Sequence, residues 1–367
     1  MPKILFKSDV HYHNYANGIT LADIVDIDEQ FYNLCLSEQP DIIVDCGDRF
    51  VSRNPNYEVL VAADTSMHKL AGLHIPIIFL AGNHDCVFKS HLKVNTIKHL
   101  DSYVEFDNLS ILDTKRTHIQ YVHDGPKDTR VAFHAIPAGF DTKNTFTDFS
   151  CDFNICIFHG TIDGSLYMGD IVAEGHAPAS DFECKEYDVV ICGDNHKPQK
   201  IDCITQVDAY YVGAPAQHNW GDAGSKRGFL MLTLEKGKRP EVSRFNTRYP
   251  LFIKDAVNIA SEADLVSHIQ ANISTYIGNI IKLTMCGTHD VLSAINTKQW
   301  RDTLISAGVR SISIHTDIYR SDSTTVQRHV ETDAESWVSF AAMKRVELPS
   351  DIDLDKMVEI GSRYIND

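Results

Sequence analysis

The sequence predicts an α/β fold: a four-layer α/β/β/α sandwich with a small α/β domain and C-terminal helices appended. Three observations carry that expectation. Short apolar runs alternate with helix-period stretches through residues 1–150, the pattern left by helices packed on a sheet. Five apolar runs end on Asp, Asn or His, mostly beside glycine. Shorter β-type pieces run from about Val104 to Pro137, with Asp124-Gly125-Pro126 as a turn, and again from Asp208 to Leu234. A second sheet layer accommodates them.

Taken in order, Ile4-Leu5-Phe6 leads to Asp9 and His11, and Leu21, Ile24, Val25, Phe31, Leu34 and Cys35 then recur at helical spacing. Ile42-Ile43-Val44 leads to Gly47-Asp48, followed by a second helical set, Val59, Leu60, Ala63, Met67 and Leu70. Ile77-Ile78-Phe79-Leu80 leads to Gly82-Asn83-His84-Asp85. Ile155-Cys156-Ile157-Phe158 stops on His159-Gly160, and Val189-Val190-Ile191 leads to Gly193-Asp194-Asn195-His196. A short apolar run closed by turn residues reads as a buried strand. Ala209 to Val212 and Gly228 to Leu232 read as further strands.

The character changes around Arg248-Tyr249-Pro250. A helix near 261–275, a strand Ile280 to Thr284, a helix near 297–307 and a strand Ile312-Ser313-Ile314 suggest a small α/β unit. Arg320 to Glu331 is polar and reads as a linker; two short helices broken at Leu348-Pro349 follow, the first opened by Thr332 and Glu335 at capping-box spacing. The expected domains are 1–248, 249–320 and 321–367.

With 367 residues, 43% hydrophobic and 23% charged, the chain reads as a soluble globular protein with room for two domains. No apolar stretch approaches the ~20 residues of a membrane span. Met1-Pro2-Lys3 enters a strand at once, so no signal peptide is expected. Nine cysteines include no CxxC pair, and Cys46, Cys156 and Cys192 sit in apolar runs, which fits a reducing cytoplasm. The net charge of −16 argues mildly against nucleic acid, whose phosphates are met by Lys and Arg. Metal-site carboxylates inflate that count, and Lys197, Lys200, Lys226, Arg227, Lys236, Lys238 and Arg239 are clustered locally.

Side chains two apart on an extended chain share a face, so Asp9 and His11 point the same way. In open α/β sheets, ligands bind at the carboxyl ends of strands. Five strand ends therefore bring Asp, Asn and His to one edge, the makings of a metal centre. Together the set Asp9-x-His11, Gly47-Asp48, Gly82-Asn83-His84-Asp85, His159-Gly160 and Gly193-x-x-His196 resembles the calcineurin-like metallophosphoesterase superfamily. Within it the chain is most similar to the SbcD-type nuclease subunit of DNA double-strand-break repair, including the phage recombination endonucleases. Phe158-His159-Gly160, and Tyr211-Val212-Gly213-Ala214-Pro215 through Lys226-Arg227-Gly228-Phe229, resemble that branch in particular.

The resemblance implies a metallophosphoesterase sandwich with a capping domain, and a two-metal site. Asp9, His11 and His196 would hold one ion, Asp48 would bridge, and Asn83 and His159 would hold the other. Mn²⁺ suits the mixed O/N donors, with Mg²⁺ as the alternative; two ions stabilise attacking and leaving oxygens at phosphorus. His84 would contact the phosphate or protonate the leaving oxygen, and Asp85 would orient that loop. Two departures stand out. Asp194 occupies the place of a family histidine and is expected as an oxygen ligand of the Asn83/His159 ion. Val51 stands where many relatives carry a histidine linked to exonuclease action.

Lys197, Lys226 and Arg227 are expected to contact DNA phosphate. Trp337, Phe340 and Ala341, with Leu354, Met357, Val358 and Ile365, form apolar stripes that the resemblance assigns to an SbcC-like SMC-type ABC ATPase partner. It also implies a homodimer within the complex. The expected function is a metal-dependent DNA nuclease subunit. The alternatives are a stand-alone small-substrate phosphodiesterase or phosphatase, or a non-catalytic scaffold with a degenerate site.

Overall fold

The structure is a computed structural model that describes residues 1–318, apart from 16–17, 87–95, 98–99, 101–106, 124–127, 168–170 and 176. The turn at 124–126, the polar linker and the terminal helices, with Trp337, Phe340, Leu354 and Met357, lie outside the described residues. The backbone divides into two compact units, Met1–Tyr319 and Arg320–Asp367; the description below is of the first.

The chain begins β1 (Lys3–Lys7), α1 (Leu21–Glu38), β2 (Ile42–Asp45), α2 (Tyr57–Ala71), β3 (Ile77–Leu80) and β4 (Leu109–Leu112). It continues as β5 (Arg116–Val122), β6 (Thr129–Ile136), β7 (Phe153–His159), the small hairpin β8 (Leu166–Tyr167) and β9 (Ile171–Val172), then β10 (Val189–Gly193), β11 (Gln199–Lys200) and β12 (Ala209–Tyr211). Next come β13 (Gly228–Thr233), β14 (Glu241–Asn246) and β15 (Phe252–Asn258). The last described elements are α3 (Glu262–Tyr276), β16 (Ile280–Gly287), α4 (His289–Ala294), α5 (Thr297–Ser306) and β17 (Ser311–Ile318).

Two six-stranded sheets result, in the orders β14-β13-β1-β2-β3-β4 and β11-β12-β10-β7-β6-β5. β1 to β4 run parallel, as do β6, β7, β10 and β12. Alternation along each strand assigns the layers. Ile4, Phe6, Ile42, Val44, Ile78 and Leu80 meet Val131, Phe133, Ile155, Ile157, Val189 and Ile191 between the sheets. The intervening Leu5, Ile43 and Phe79 face the other way, onto Ile24, Ile27 and Phe31 of α1 and Val59, Ala63 and Met67 of α2. The outer face of the second sheet is covered more lightly: Phe182, in the 3₁₀ turn Ala179–Phe182, and loop residues such as Ile201 and Ile204 pack on Cys156, Val190 and Cys192.

A third sheet, β15-β16-β17, is parallel throughout and has its own core of Leu265, Ile269, Ile281, Leu283, Met285 and Leu304 beneath α3 to α5. α3 starts at a Ser261/Asp264 capping box and α5 at an Asn296 cap. Arg310 ties this part to the start of α1, its Nη1 donating to Asp23 at 3.0 Å.

Candidate metal centre

Because β1, β2 and β3 are neighbours in one sheet and β7 and β10 in the other, their carboxyl ends open onto one edge. The backbone there is unusual. Six non-glycine residues among those described have φ in the left-handed region, and four of them are Asp9 (53°), His11 (53°), Asp48 (55°) and Asp194 (86°). Such conformations cost free energy and persist where surrounding structure enforces them. Two glycines make room: a Cβ on Gly82 would lie 2.2 Å from Asp48 Oδ1, and one on Gly47 (φ 101°) 2.6 Å from His159 Nδ1.

Three groups of donors converge: Asp9, His11 and His196; His11, Asp48 and His84; and Asp9, Asp48 and His159. Within each group the ligand atoms lie within 4.8 Å of one another. His159 Nδ1 donates to the Cys46 carbonyl at 2.6 Å, which leaves Nε2 facing Asn83 Oδ1 at 3.0 Å and Asp48 Oδ1 at 3.4 Å. His11 Nε2 and His196 Nε2 stand 3.1 Å apart, and His11 Nε2 is 3.8 Å from Asp48 Oδ2.

Imidazole nitrogens and carboxylate oxygens gathered this closely could hold a cation between them, and burial sets their charges. Burial holds His11 down to about 3, so it offers a neutral imidazole. Burial raises the Asp9 carboxyl to about 6. Burial also works against a charged His159, but Asp48, Asp9 and Asp194 outweigh it and hold its proton on; a proton occupies the place a cation would take. The mixed O/N donor set fits a divalent ion of the Mn²⁺, Zn²⁺, Fe²⁺ or Mg²⁺ class.

Asp85 does not reach the ligand cluster. Its carboxylate accepts three backbone N–H groups, from Asp48 at 2.8 Å, Gly82 at 2.9 Å and Arg49 at 3.1 Å. It therefore clamps the β2 and β3 loops together, a positioning task. His84 donates Nδ1–H to the Val51 carbonyl at 2.6 Å, leaving Nε2 for the cluster side. Val51 thus contributes through its backbone. Asp194 stands at the rim: its N–H meets the Asp9 carboxylate at 3.2 Å, Oδ2 accepts from Thr161 at 2.6 Å, and Oδ1 is 3.9 Å from His159 Nε2.

A second layer supports these ligands. His218 Nε2 donates to the Asp9 carbonyl at 3.0 Å, and its buried ring lies 5.1 Å from those of His11 and His196. Asp222 Oδ2 is 3.8 Å from His196 Nδ1, and its carboxylate accepts the His218 N–H at 2.8 Å. Despite the burial penalty, His196 and Arg227 keep Asp222 well below the usual carboxylate range. No local signal marks Asp222; only the fold brings it to His196.

The basic residues part company. Lys197 lies beside His196 in a cleft of about 350 Å³ that Tyr167, Asp194, Asn219 and Asp222 also line. Lys226 is exposed. Arg227 is buried, 2% exposed and ion-paired to Asp222 Oδ1 at 2.9 Å. A Lys-Arg pair reads as surface, but here successive residues entering β13 face opposite ways.

Compared with known proteins, residues 2–198 match the family model of calcineurin-like phosphoesterases. The chain is 23% identical over 325 residues to the DNA double-strand break repair protein Mre11 of Methanosarcina acetivorans. That alignment covers 83% of this chain and 49% of the relative, so the chain spans about half that relative's length. Among solved structures it is similar to GAP50, the anchor in the inner membrane complex of Plasmodium, with TM-score 0.42, 13% identity and coverage of 67% of this chain and 89% of that one. It is also similar to a dimetal phosphatase from Danio rerio, with TM-score 0.40, 10% identity and coverage of 64% and 92%. Among the described residues no helix is long and apolar enough to cross a membrane.

Proposed function

The chain belongs to the calcineurin-like phosphoesterase family, and from that premise we propose that it is the nuclease subunit of an SbcC/SbcD-like recombination and repair complex. In this reading it is a Mn²⁺-dependent phosphodiesterase that cleaves DNA in the cytoplasm. The observation that carries the reading is the placement of His84: a ring with its Nδ1 fixed on Val51 and its other nitrogen grouped with His11 and Asp48. The similarity to a DNA repair protein supports DNA as the polymer.

Divalent ions held by Asp9, His11, Asp48, Asn83, His159 and His196, with Asp194 as a further oxygen donor, would supply Lewis-acid stabilisation of the phosphoryl oxygens. The chain's own groups do the rest. His84 presents Nε2 to a phosphate oxygen or to the leaving oxygen, the position from which a proton can be delivered. Asp85 keeps Asp48 and the Gly82 turn in register. Lys197 and Lys226 would meet the phosphate backbone beside the centre. The terminal stripes, Trp337 and Phe340 with Leu354 and Met357, would dock an SMC-type ABC ATPase, with two copies of this chain in the assembly.

The test is degradation of end-labelled linear DNA in Mn²⁺ by the wild type and by His84→Ala. The expected outcome is cleavage by the wild type and a loss of about 10²–10⁴-fold in the variant. Hydrolysis of bis-p-nitrophenyl phosphate without action on DNA would assign the site to small phosphoesters. Inactivity with every divalent metal, alongside tight ATPase binding, would leave a scaffold.

A further inference from the structure

A second cavity, of about 500 Å³, lies behind the cleft at His196, where the loop leading into β13 meets the start of β15. Ala223, Gly224, Ser225 and Arg227 line both spaces and form the wall between them. The cavity's charge is one-sided. Among the described residues Lys226 and Lys254 line it, with Arg227 paired to Asp222, and no carboxylate does, in a chain whose net charge is −16. Its apolar lining is partly aromatic, with Tyr249, Phe252 and Ile253.

Arg227 gives the second, independent observation. Nη2 is spent on Asp222 and Nε on Ser225 Oγ at 2.9 Å, while Nη1 is buried with no partner among the described residues. An unsatisfied buried donor is costly, and a residue 2% exposed cannot turn out to water to satisfy it. A ligand that brought an anionic or carbonyl oxygen into the cavity would.

We propose that this cavity takes one nucleotide of the substrate strand, flanking the cleaved phosphodiester, with its base on Tyr249 and Phe252. Its phosphate faces Lys226 and Lys254, and Arg227 Nη1 donates from the wall. The assignment rests on the nuclease reading above. The mixture of surfaces selects the ligand. An inorganic anion would leave the aromatic lining unused, and an apolar ligand would leave the cations unpaired. A nucleotide uses both, because a base of any sequence stacks on an aromatic face and phosphate is met by Lys and Arg. The volume lies in the range of small-ligand pockets.

The experiment compares Mn²⁺-loaded wild type, Tyr249→Ala, Tyr249→Phe and Lys254→Glu on a labelled single-stranded oligonucleotide and on bis-p-nitrophenyl phosphate. The small ester carries no flanking nucleotide and reports the state of the metal centre in each variant. Expected is a fall of about tenfold in the ratio of oligonucleotide to small-ester kcat/KM for Tyr249→Ala and Lys254→Glu, carried by KM, with Tyr249→Phe close to wild type. An unchanged ratio in the first two variants, or an equal fall in Tyr249→Phe, overturns the proposal. Thymidine monophosphate that binds the wild type and not Lys254→Glu, with the ratio unchanged, would give the cavity to a free nucleotide and overturn the strand assignment. A wild type that cleaves the small ester and no DNA overturns the nuclease reading, and this site with it.

Discussion

Asp48 and Arg49 are neighbours in the chain, yet they belong to two buried clusters of charge that are balanced in different ways. Between the first sheet and its helices, Lys7 and Arg49 meet Asp28 and Asp45. Lys7 Nζ is 2.8 Å from Asp28 Oδ1 and 3.9 Å from Asp45 Oδ2, and Arg49 lies 3.9 and 3.8 Å from the same two carboxylates. Tyr12 donates to Asp28 at 2.6 Å, and Arg49 Nη2 to the Ala63 carbonyl at 2.6 Å. Two cations answer two carboxylates, although Asp45 Oδ2 and Arg49 Nη1 stand at ion-pair distance without a hydrogen bond. At the strand-end edge, Asp9 and Asp48 face four histidines and an amide, and among the described residues no lysine or arginine ion-pairs with either. Buried charge is tolerated only when paired. The first cluster carries its counter-charges on lysine and arginine, whereas the second has only imidazoles and the place for a bound ion.

That contrast fails if each cluster does the other's work. Arg49→Met should have the largest effect on stability, about 3–5 kcal/mol, because it leaves Asp28 and Asp45 with Lys7 alone. Urea unfolding measures it, and Mn²⁺ binding by the folded fraction should be retained; a variant as stable as wild type would mean that the first cluster holds nothing. Asp48→Asn should act on the other side, lowering phosphodiester cleavage by about 10²–10³-fold, the range for losing one preorganised electrostatic group. Cleavage at the wild-type rate would remove Asp48 from the centre.

The edge was legible in the sequence because each of its parts is local. Strand, turn and ligand follow one another within a few residues at Ile4 to His11 and at Ile77 to Asp85, and the turn chemistry survives in a single chain. The left-handed φ at Asp9, His11, Asp48 and Asp194 has no such mark, since none of them is glycine. The first cluster was invisible for the opposite reason. Lys7 ends a strand, Asp28 reads as a surface helix residue and Arg49 follows a metal motif, so only the packing of α1 and α2 on β1 and β2 joins them. Asp222 escaped likewise, lying 26 residues from the group it serves, His196. The third sheet was legible in outline, with α3, α5, β16 and β17 near their expected positions; α4 is too short to leave a periodic signature.

Metal removal gives a smaller effect of the same kind. Mn²⁺ at a hundredfold excess over its dissociation constant should stabilise the wild type by about 2.7 kcal/mol through mass action. A melting series with and without chelator reads the shift. It should persist in Asp28→Asn and shrink in His196→Ala, and a shift lost equally in both variants would merge the two clusters into one.

The smallest effect is one of pH, and its sign separates the clusters again. Burial pushes the Asp28 carboxyl up, but Lys7 and Arg49, with hydrogen bonds from Lys7 and Tyr12, outweigh it and hold Asp28 below its ordinary value. A carboxylate depressed in the folded state contributes stability above its unfolded pKa, about 3.9, and loses it as pH falls through the folded value. The advantage of wild type over Asp28→Asn should therefore be flat above about pH 4 and decline below it, by at most about 1.4 kcal/mol per pH unit. Chelator should leave the profile unchanged, because the cations facing Asp28 belong to the chain. If the difference instead changed across neutral pH, or moved with Mn²⁺, Asp28 would be answering to the ligand edge and the two clusters would be one electrostatic system.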